Sequence, residues 1–348
     1  MSGITAKFIA NELGISPSSV SIALNGKPGV SEKTRLDVIK LATQYGYTVP
    51  CVSGAMNKPS KQTICFLIYV DKLISIAENT PFSTFVLQGV ETEASRLGYN
   101  TMIRYFIANS SMDTFPFEVF RDVAGLIIFG TDITPERRAE MEYILSFARD
   151  IPVVMIDNYL LDSRMDCIGN DNFTGARDAV NYLLERGCRS VGHIRARQRI
   201  SIFDKREAGV REALSAAGLP LFTSIDAGVS SEQAFLDMSA WLEKQPALPD
   251  GFFADNDIIA AAAMRALRGF HIHIPQDVSV IGFDDIPACE MTDPPLSTMR
   301  SFKERMGAAA VRVLNGHIAA GDTMETMRGG GVMRIQMSLC VHARGSVK

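Results

Sequence analysis

The sequence predicts two structural units: an all-α helix-turn-helix headpiece and a larger α/β core in which helices flank parallel sheets. Two short amphipathic helices with a turn between them occupy residues 5–25. From Thr63 onward, apolar strands alternate with amphipathic helices, and repeated βα units of this length predict parallel sheets covered by helices. Two such sets in a chain of 348 residues predict two similar lobes with a cleft beyond the carboxyl ends of their strands.

The predicted headpiece helices are separated by a glycine turn. Gly14 can take the left-handed conformation that ends a helix, Ser16 is a suitable N-cap, and Pro17 fits the first helical position. The apolar stripes of the two helices consist of Phe8, Ile9, Ala10 and Leu13 and of Val20, Ala23 and Leu24. This stretch alone is compatible with a helix-turn-helix, whose second helix enters the DNA major groove, and equally with an ordinary αα-hairpin that has a polar face.

Charge is distributed unevenly between the two predicted units. Residues 1–62 carry seven Lys and Arg against three Asp and Glu, whereas residues 63–348 carry 28 against 36. The net charge of −4 therefore combines a basic segment of +4 with an acidic body of −8. The basic segment is where the phosphates of a nucleic acid would be met.

Cysteine usage and hydropathy indicate where in the cell the protein resides. The six cysteines are scattered and never form a C-x-x-C pair, which favours reduced thiols in a cytosol and argues against a zinc knuckle or a disulfide framework. No apolar run reaches the roughly 18 residues of a membrane span, and the N-terminal residues lack the apolar region of a signal peptide. We therefore expect a cytoplasmic protein without a membrane partner.

A family resemblance decides between the helix-turn-helix and the αα-hairpin for residues 5–25. After a loop at residues 25–31, Ser31 is placed to cap a third helix that ends near Gly46. The run ITAKFIANELGISPSSVSIALNGKPGVSEKTRLDVIKLATQYGYTVP resembles the DNA-binding headpiece of the LacI/GalR family of bacterial transcription regulators. Five later stretches resemble the family's core in order: IPVVMIDNYL, DNFTGARDAVNYLLERG, REAGVREAL, ADNDIIAAAAMRAL and IPQDVSVIGFDDIPACEMTDPPLSTM. Cys188 departs from the family, which usually has His after this glycine.

The resemblance implies a bacterial, nucleoid-associated protein that binds pseudo-palindromic operator DNA as a homodimer. It also implies that a small-molecule effector controls this binding, and we expect the effector to be a sugar or sugar derivative. It also implies a periplasmic-binding-protein-like core without a cofactor. The expected boundaries are a headpiece at 1–47, a hinge or linker at 48–62, an N-lobe at 63–160 plus 292–321, and a C-lobe at 161–291 plus 322–348. The linker lacks the family's clean hinge-helix pattern, so it forms either a hinge helix with Met56 as a minor-groove wedge or a flexible tether only.

The predicted DNA contacts follow from the headpiece resemblance and from the short hydroxyl and amide side chains of the second helix, which suit phosphates. They are Thr5, Ser16, Pro17, Ser18, Ser19, Ser21, Ile22, Asn25, Ser31, Thr34, Tyr47 and Met56.

The base-reading positions of the family correspond to Pro17, Ser18 and Ile22 in this sequence. Relatives very often carry Arg at the position of Ile22, which can make only apolar contact, most naturally with a thymine methyl. We therefore expect less dependence on guanine at this contact. In the alternative, Ile22 packs into the headpiece core and reads no base.

Polar residues that lie just past predicted strand ends are candidate effector contacts. Asp157, Asn256 and Asp284 each follow an apolar strand. Carboxylates can accept hydrogen bonds from vicinal hydroxyls, and Arg206 offers a planar fork to oxygen acceptors. The resemblance implies that Arg206 and Asp284 are the most recurrent contacts. The complete predicted set is Phe82, Asp157, Phe173, Arg206, Asn256 and Asp284, in which the two aromatic rings would stack on an apolar sugar face. An alternative role of Asp257 and Asp284 is to cap the helices that follow them.

Other motifs give weak signals. His271 and His273 have no third metal ligand nearby in sequence, and the Gly329–Gly331 run lacks the lysine of a phosphate loop. No catalytic motif was found, so neither an enzyme nor a metal site is expected. A transport protein that binds sugars remains a rival, but it would need a signal peptide and would not need residues 5–47.

Overall fold

The computed structural model describes residues 6–24, 29–44, 62–72, 81–158 and 165–348, and the chain divides into two compact units, Met1–Ser60 and Lys61–Lys348. Most of the predicted linker, and with it Met56, lies outside the described residues.

The first unit contains three helices: α1 (Ala6–Leu13), α2 (Pro17–Leu24) and α3 (Glu32–Gln44). Gly14 ends α1 with a φ of +63°, and Ser16 caps α2 by accepting a 3.0 Å hydrogen bond from the Ser19 amide. Of the predicted apolar stripes, Ile9, Ala10, Val20 and Ala23 are buried in a small core with Leu13 packed against it, whereas Phe8 is 38% exposed. The buried members of this core are Ile9, Ala10, Val20, Ala23, Val38 and Ala42.

The second unit contains two six-stranded sheets with the same order of strands. The first sheet, of the N-lobe, is entirely parallel and has the order β11-β5-β4-β3-β1-β2. Its strands are β1 (Thr63–Val70), β2 (Asn100–Ile107), β3 (Gly125–Phe129), β4 (Val153–Ile156), β5 (Asp166–Asn170) and β11 (Arg334–Met337). Its helices are α4 (Phe82–Arg96), α5 (Arg138–Ser146), α10 (Lys303–Ala320) and α11 (Met324–Gly329), with short 3₁₀ turns at Phe117–Arg121 and Pro135–Arg137.

The second sheet, of the C-lobe, has the order β12-β10-β9-β8-β6-β7 and is parallel except for β12. Its strands are β6 (Val191–Ala196), β7 (Thr223–Ala227), β8 (Gly251–Ala254), β9 (Ser279–Asp284), β10 (Ser297–Arg300) and β12 (Cys340–His342). Its helices are α6 (Asn172–Glu185), α7 (Ser201–Ala216), α8 (Ser231–Leu242) and α9 (Asp257–Gly269), with a 3₁₀ turn at Pro287–Glu290. In each sheet the strand order reverses beside the first strand, and such a switch point is where open α/β sheets bind ligands.

The chain crosses between the lobes later than the expected boundaries at 160, 291 and 321. It crosses between β5 and α6, between β10 and α10, and between β11 and β12, because β5 and β11 pair within the first sheet and β10 within the second. The expected boundaries were wrong because these strands have four or five residues and little β-branched content, so their sequences carry a weak strand signal.

Helices α4 and α10 of the N-lobe pack with their backbones in close approach. A Cβ atom on Gly89 would lie 1.9 Å from the carbonyl oxygen of Glu304, and one on Gly307 would lie 2.1 Å from that of Val86. Glycine at both positions therefore fixes the start of α10 against the N-lobe.

Candidate functional site: a cleft between the two lobes of the core

A cavity that opens to solvent lies between the lobes, at the carboxyl ends of the strands, and contains about 310 Å³ of space when that solvent is included. The N-lobe contributes one carboxylate, one hydroxyl and two aromatic rings, and the C-lobe contributes a guanidinium, an amide, a carboxylate and two apolar side chains. The lining residues are Phe82, Phe129, Thr131 and Asp157 from the N-lobe, and Ile202, Phe203, Arg206, Asn256 and Asp284 from the C-lobe.

The two carboxylates of the cavity are held on strained backbone. Asp157 directly follows β4 with a φ of +59°, and Asp284 ends β9 with a φ of +113°. Such conformations cost of order 1–3 kcal/mol each and persist where the surrounding structure holds them. Here they turn the chain at the strand ends, where Asp157 and Asp284 line the cavity.

Arg206 is the centre of the C-lobe half of the cleft. Its Nε donates to Asn172 Oδ1 at 2.8 Å, its Nη2 lies 3.3 Å from Asp284 Oδ1, and its Nη1 donates to the carbonyl oxygen of Asp255. The guanidinium also lies 3.7 Å from the ring centroid of Phe283. With only 2% of its surface exposed, Arg206 is oriented by contacts on every nitrogen.

Asp157 is the centre of the N-lobe half and is less completely bonded. Its Oδ2 accepts a 2.7 Å hydrogen bond from Thr131, whereas its buried Oδ1 has no hydrogen-bond partner among the described residues. Burial raises the pKa of the Asp157 carboxyl to about 6, while Thr131 and Arg206 act to lower it. Burial also raises the pKa of Asp284, against the charges of Arg206 and Lys303.

The structure brings five of the six predicted effector residues together: Phe82, Asp157, Arg206, Asn256 and Asp284. Phe173 does not line the cavity and is 36% exposed. The inward position at the start of α6 belongs instead to Asn172, the buried partner of Arg206.

Sequence reasoning missed Phe129, Thr131, Ile202 and Phe203 as lining residues. The rule that selected Asp157 applies equally to Thr131, which lies two residues past the apolar strand β3 that ends at Phe129. No comparable signal marks Ile202 and Phe203, because they begin a helix after an irregular loop.

The helix-capping alternative fails for both aspartates that it named. Asn256, not Asp257, caps α9 by accepting a 2.9 Å hydrogen bond from the Ile259 amide, so this residue both caps and lines the cavity. Asp257 is buried, and its carboxylate accepts hydrogen bonds from the Thr298 hydroxyl at 2.5 Å and the Ile286 amide at 3.0 Å. The Asp284 carboxylate faces Arg206, and the helical turn that follows has Ile286 at its N-cap.

The helix-turn-helix unit presents a second candidate surface. Ser16, Pro17, Ser18 and Ser21 are exposed, and Ser19 and Ile22 are partly exposed, while Val20 and Ala23 face the core. The hydroxyl of Ser16 lies 2.7 Å from that of Ser18 and 2.9 Å from that of Ser19, so these serines form one capping cluster.

Further along, Ser31 caps α3 by accepting a 3.1 Å hydrogen bond from the Thr34 amide. Ile22 is not part of the buried cluster of the first unit, and its side chain lies beside Gly29. The remaining predicted contacts, Thr5, Asn25, Tyr47 and Met56, lie outside the described residues.

Two further observations concern the described part of the chain. No group of three or more His, Cys, Asp or Glu in it is placed to hold a metal ion, and the ring of His273 bonds to Asp277 at 2.9 Å. None of its helices is both long and apolar enough to span a bilayer.

A helix-turn-helix unit joined to a two-lobed core with a polar cleft defines a ligand-responsive, DNA-binding regulator, and the comparisons agree. The HTH-type transcriptional regulator DegA of Bacillus subtilis is 30% identical over 307 residues, which cover 86% of this chain and 87% of DegA. The HTH-type transcriptional regulator GalR of Streptococcus thermophilus is 27% identical over 333 residues, 93% of this chain and 95% of GalR. The chain belongs to the LacI/GalR family of transcriptional regulators.

The core and its fold match known structures as well. Residues 180–346 match the family model described as a periplasmic binding protein-like domain. A solved structure of the transcriptional regulator CelR in complex with cellobiose aligns with a TM-score of 0.69 at 23% identity, over 99% of this chain and 100% of that one. At 23% identity, this likeness concerns the fold.

Proposed function

We propose that the effector of this regulator is a small, neutral, hydroxyl-rich molecule of the sugar class, and that its binding in the cleft changes the affinity for operator DNA. The observation that carries the proposal is the composition of the cavity, in which Asp157, Asp284, Arg206 and Asn256 lie beside phenylalanine rings. Hydroxyl groups can donate to the carboxylates, while the apolar face of a sugar ring packs on the aromatic side chains.

The charge of the cavity supports this class. Two carboxylates line it against one guanidinium, and Arg206 already uses each nitrogen in bonds to protein. An anion would therefore meet net negative charge, whereas a hydroxyl could donate to the unpartnered Oδ1 of Asp157.

The regulatory output follows from the first unit. One helix-turn-helix reads only a few base pairs, so we propose that a homodimer places two of them on a pseudo-palindromic operator. We further propose that the protein acts in the bacterial cytoplasm, on the nucleoid, as a regulator and not as an enzyme. The relative CelR was solved with cellobiose, which supports a carbohydrate effector.

A thermal-shift screen tests the effector class. D-Ribose, D-glucose, cellobiose, a nucleoside and an acidic sugar phosphate are compared, since a ligand at ~100 times its Kd adds about 2.7 kcal/mol of stability. We expect a neutral sugar to stabilise the wild type and the control Asp277→Asn, an exposed C-lobe position, but not Asp284→Asn. Stabilisation by the sugar phosphate alone, or an unchanged response in Asp284→Asn, would refute the proposal.

A randomised-operator selection tests the proposed readout by α2. Ile22 is partly exposed on the same face as Ser18 and Ser21, so we expect an apolar contact there with little guanine preference. Ile22→Arg should introduce a guanine preference at the facing base, worth about 1–3 kcal/mol. If the wild type already selects an invariant guanine there, or if Ile22→Arg leaves the preference unchanged, Ile22 does not read that base.

A further inference from the structure

Lys303 is a buried cation whose contacts reach from one lobe into the other. It is the first residue of α10, which the close contacts of Gly89 and Gly307 fix against α4 in the N-lobe. Its Nζ lies 5.7 Å from the ring centroid of Phe85, also in α4. Only 5% of its surface is exposed, so the position of the ammonium group is set by its neighbours.

The hydrogen bonds of Lys303 go to the C-lobe strand that carries an effector-site carboxylate. Its Nζ donates to the carbonyl oxygens of Asp284 and, at 3.0 Å, of Asp285, and it lies 3.3 Å from that of Ser301 in the lobe crossing. Charge-assisted hydrogen bonds of this kind are among the stronger ones in proteins. One side chain therefore joins the N-lobe, the crossing and the end of β9.

The segment that Lys303 holds is strained. Asp284 and Asp285 have successive positive φ angles of 113° and 57°, which non-glycine residues rarely adopt. On the C-lobe side, the Asp285 carboxylate is fixed by Arg344 at 2.7 Å and His342 at 2.9 Å. The carbonyl oxygens of the same two residues converge on Lys303, so the ammonium offsets the repulsion between their dipoles.

We propose that Lys303 is a positioning residue that ties the carboxyl end of β9 to the N-lobe and thereby sets the orientation in which Asp284 enters the cleft. Any movement of the lobes about the crossing between β10 and α10 must stretch or break these bonds. A molecule that binds to Asp284 is therefore coupled to the angle between the lobes through one ammonium group. The second step, the coupling of ligand binding to the angle between the lobes, rests on the proposed function. The first step, the positioning of Asp284 by Lys303, does not.

Hydrogen exchange of the full-length protein without added ligand tests the first step. Lys303→Met keeps the length of the side chain and removes the charge, Lys303→Arg keeps donors, and Arg305→Met removes an exposed cation from the same helix turn. We expect Lys303→Met to accelerate exchange of the amides of residues 284–286 about tenfold or more, with Lys303→Arg and Arg305→Met close to the wild type.

Three outcomes would overturn the proposal. The first is unchanged exchange of the amides of residues 284–286 in Lys303→Met, and the second is equal acceleration in β1 and β8, which would indicate global destabilisation. The third is an acceleration in Lys303→Arg as large as in Lys303→Met. Titration with D-ribose, D-glucose and cellobiose then tests the coupling, with about tenfold weaker binding expected in Lys303→Met. If none of these sugars binds the wild type, the sugar class of the proposed function fails, and the exchange result still decides the role of Lys303.

Discussion

The two halves of the cleft differ in how completely their polar groups are bonded. In the C-lobe half, Arg206 is bonded to Asn172, Asp255 and Asp284, so this side is rigid before any ligand arrives. In the N-lobe half, Asp157 has one side-chain hydrogen-bond partner among the described residues, Thr131, and its buried Oδ1 has none there. The difference indicates that the C-lobe supplies a preorganised platform, while the N-lobe supplies a carboxylate whose bonding is completed by the ligand.

The largest effect is expected from replacing Arg206, the residue at the centre of the preorganised C-lobe half. Arg206→Met leaves Asp284 buried without its cationic partner, and breaking such a pair costs about 3–5 kcal/mol. We expect a loss of that size in the free energy of unfolding, measured with urea, together with loss of the sugar response. DNA binding at a temperature where the variant is folded should be kept, because the helix-turn-helix is a separate compact unit.

The double variant Arg206→Met/Asp284→Asn separates stability from recognition. Neutralising Asp284 removes the unpaired buried charge, so we expect stability to recover in part while the sugar response stays lost. Recovery of sugar binding in the double variant would show that Arg206 supports the fold and does not help to form the recognition platform.

An intermediate effect on sugar affinity is expected from a change in pH. Its origin is the Asp157 carboxyl in the N-lobe half of the cleft. The folded, ligand-free Asp157 has a pKa raised by burial to about 6, so the carboxyl is mostly ionised at pH 7 and mostly protonated at pH 5. A hydroxyl that donates to the ionised form competes with that proton, so binding weakens as pH falls. The Kd of the sugar should rise about tenfold from pH 7 to pH 5.

Asp157→Asn is the matched control for this pH dependence. Asn tolerates the positive φ of 59° at this position, so the backbone is kept while the titrating group is removed. We expect weaker binding at pH 7 and a flatter profile between pH 5 and 7, in which any residual slope is due to Asp284. An equally steep profile in Asp157→Asn would assign the titration to another group.

The contrast between the two halves also explains what the sequence could predict. Asp157, Asn256 and Asp284 were found because each follows an apolar strand, and parallel strands deliver such residues to one edge of a sheet. The partner that orients Arg206, Asn172, was not found, because its role depends on which face of α6 the first residue after the Asp171 N-cap occupies. Phe173 was predicted in its place for the same reason.

The lobe boundaries show the same limit on a larger scale. Repeated βα units predicted two lobes with parallel sheets, as observed, but the crossings depend on which sheet accepts a short strand. Arg334–Met337 joins β5 and not β10, although the two sheets offer similar edges. Such a choice is made by contacts between distant parts of the chain, which local sequence patterns do not contain.

The smallest effect on sugar affinity is expected from a substitution of Thr131. This substitution tests whether the N-lobe half binds the sugar through the ionised carboxylate of Asp157. The Thr131 hydroxyl donates to Oδ2 of Asp157 and favours the ionised carboxylate, so Thr131→Val should move the pKa of Asp157 further up. Sugar affinity should then fall roughly threefold at pH 6.5 and hardly at all at pH 8, where the carboxyl is ionised in both proteins. The control Thr114→Val removes an exposed hydroxyl of the same lobe that bonds to the Ser110 carbonyl. It should leave the sugar affinity unchanged at both pH 6.5 and pH 8. An equal loss at pH 6.5 and pH 8 would mean that Thr131 contacts the sugar directly, because only a direct contact is independent of the charge on Asp157.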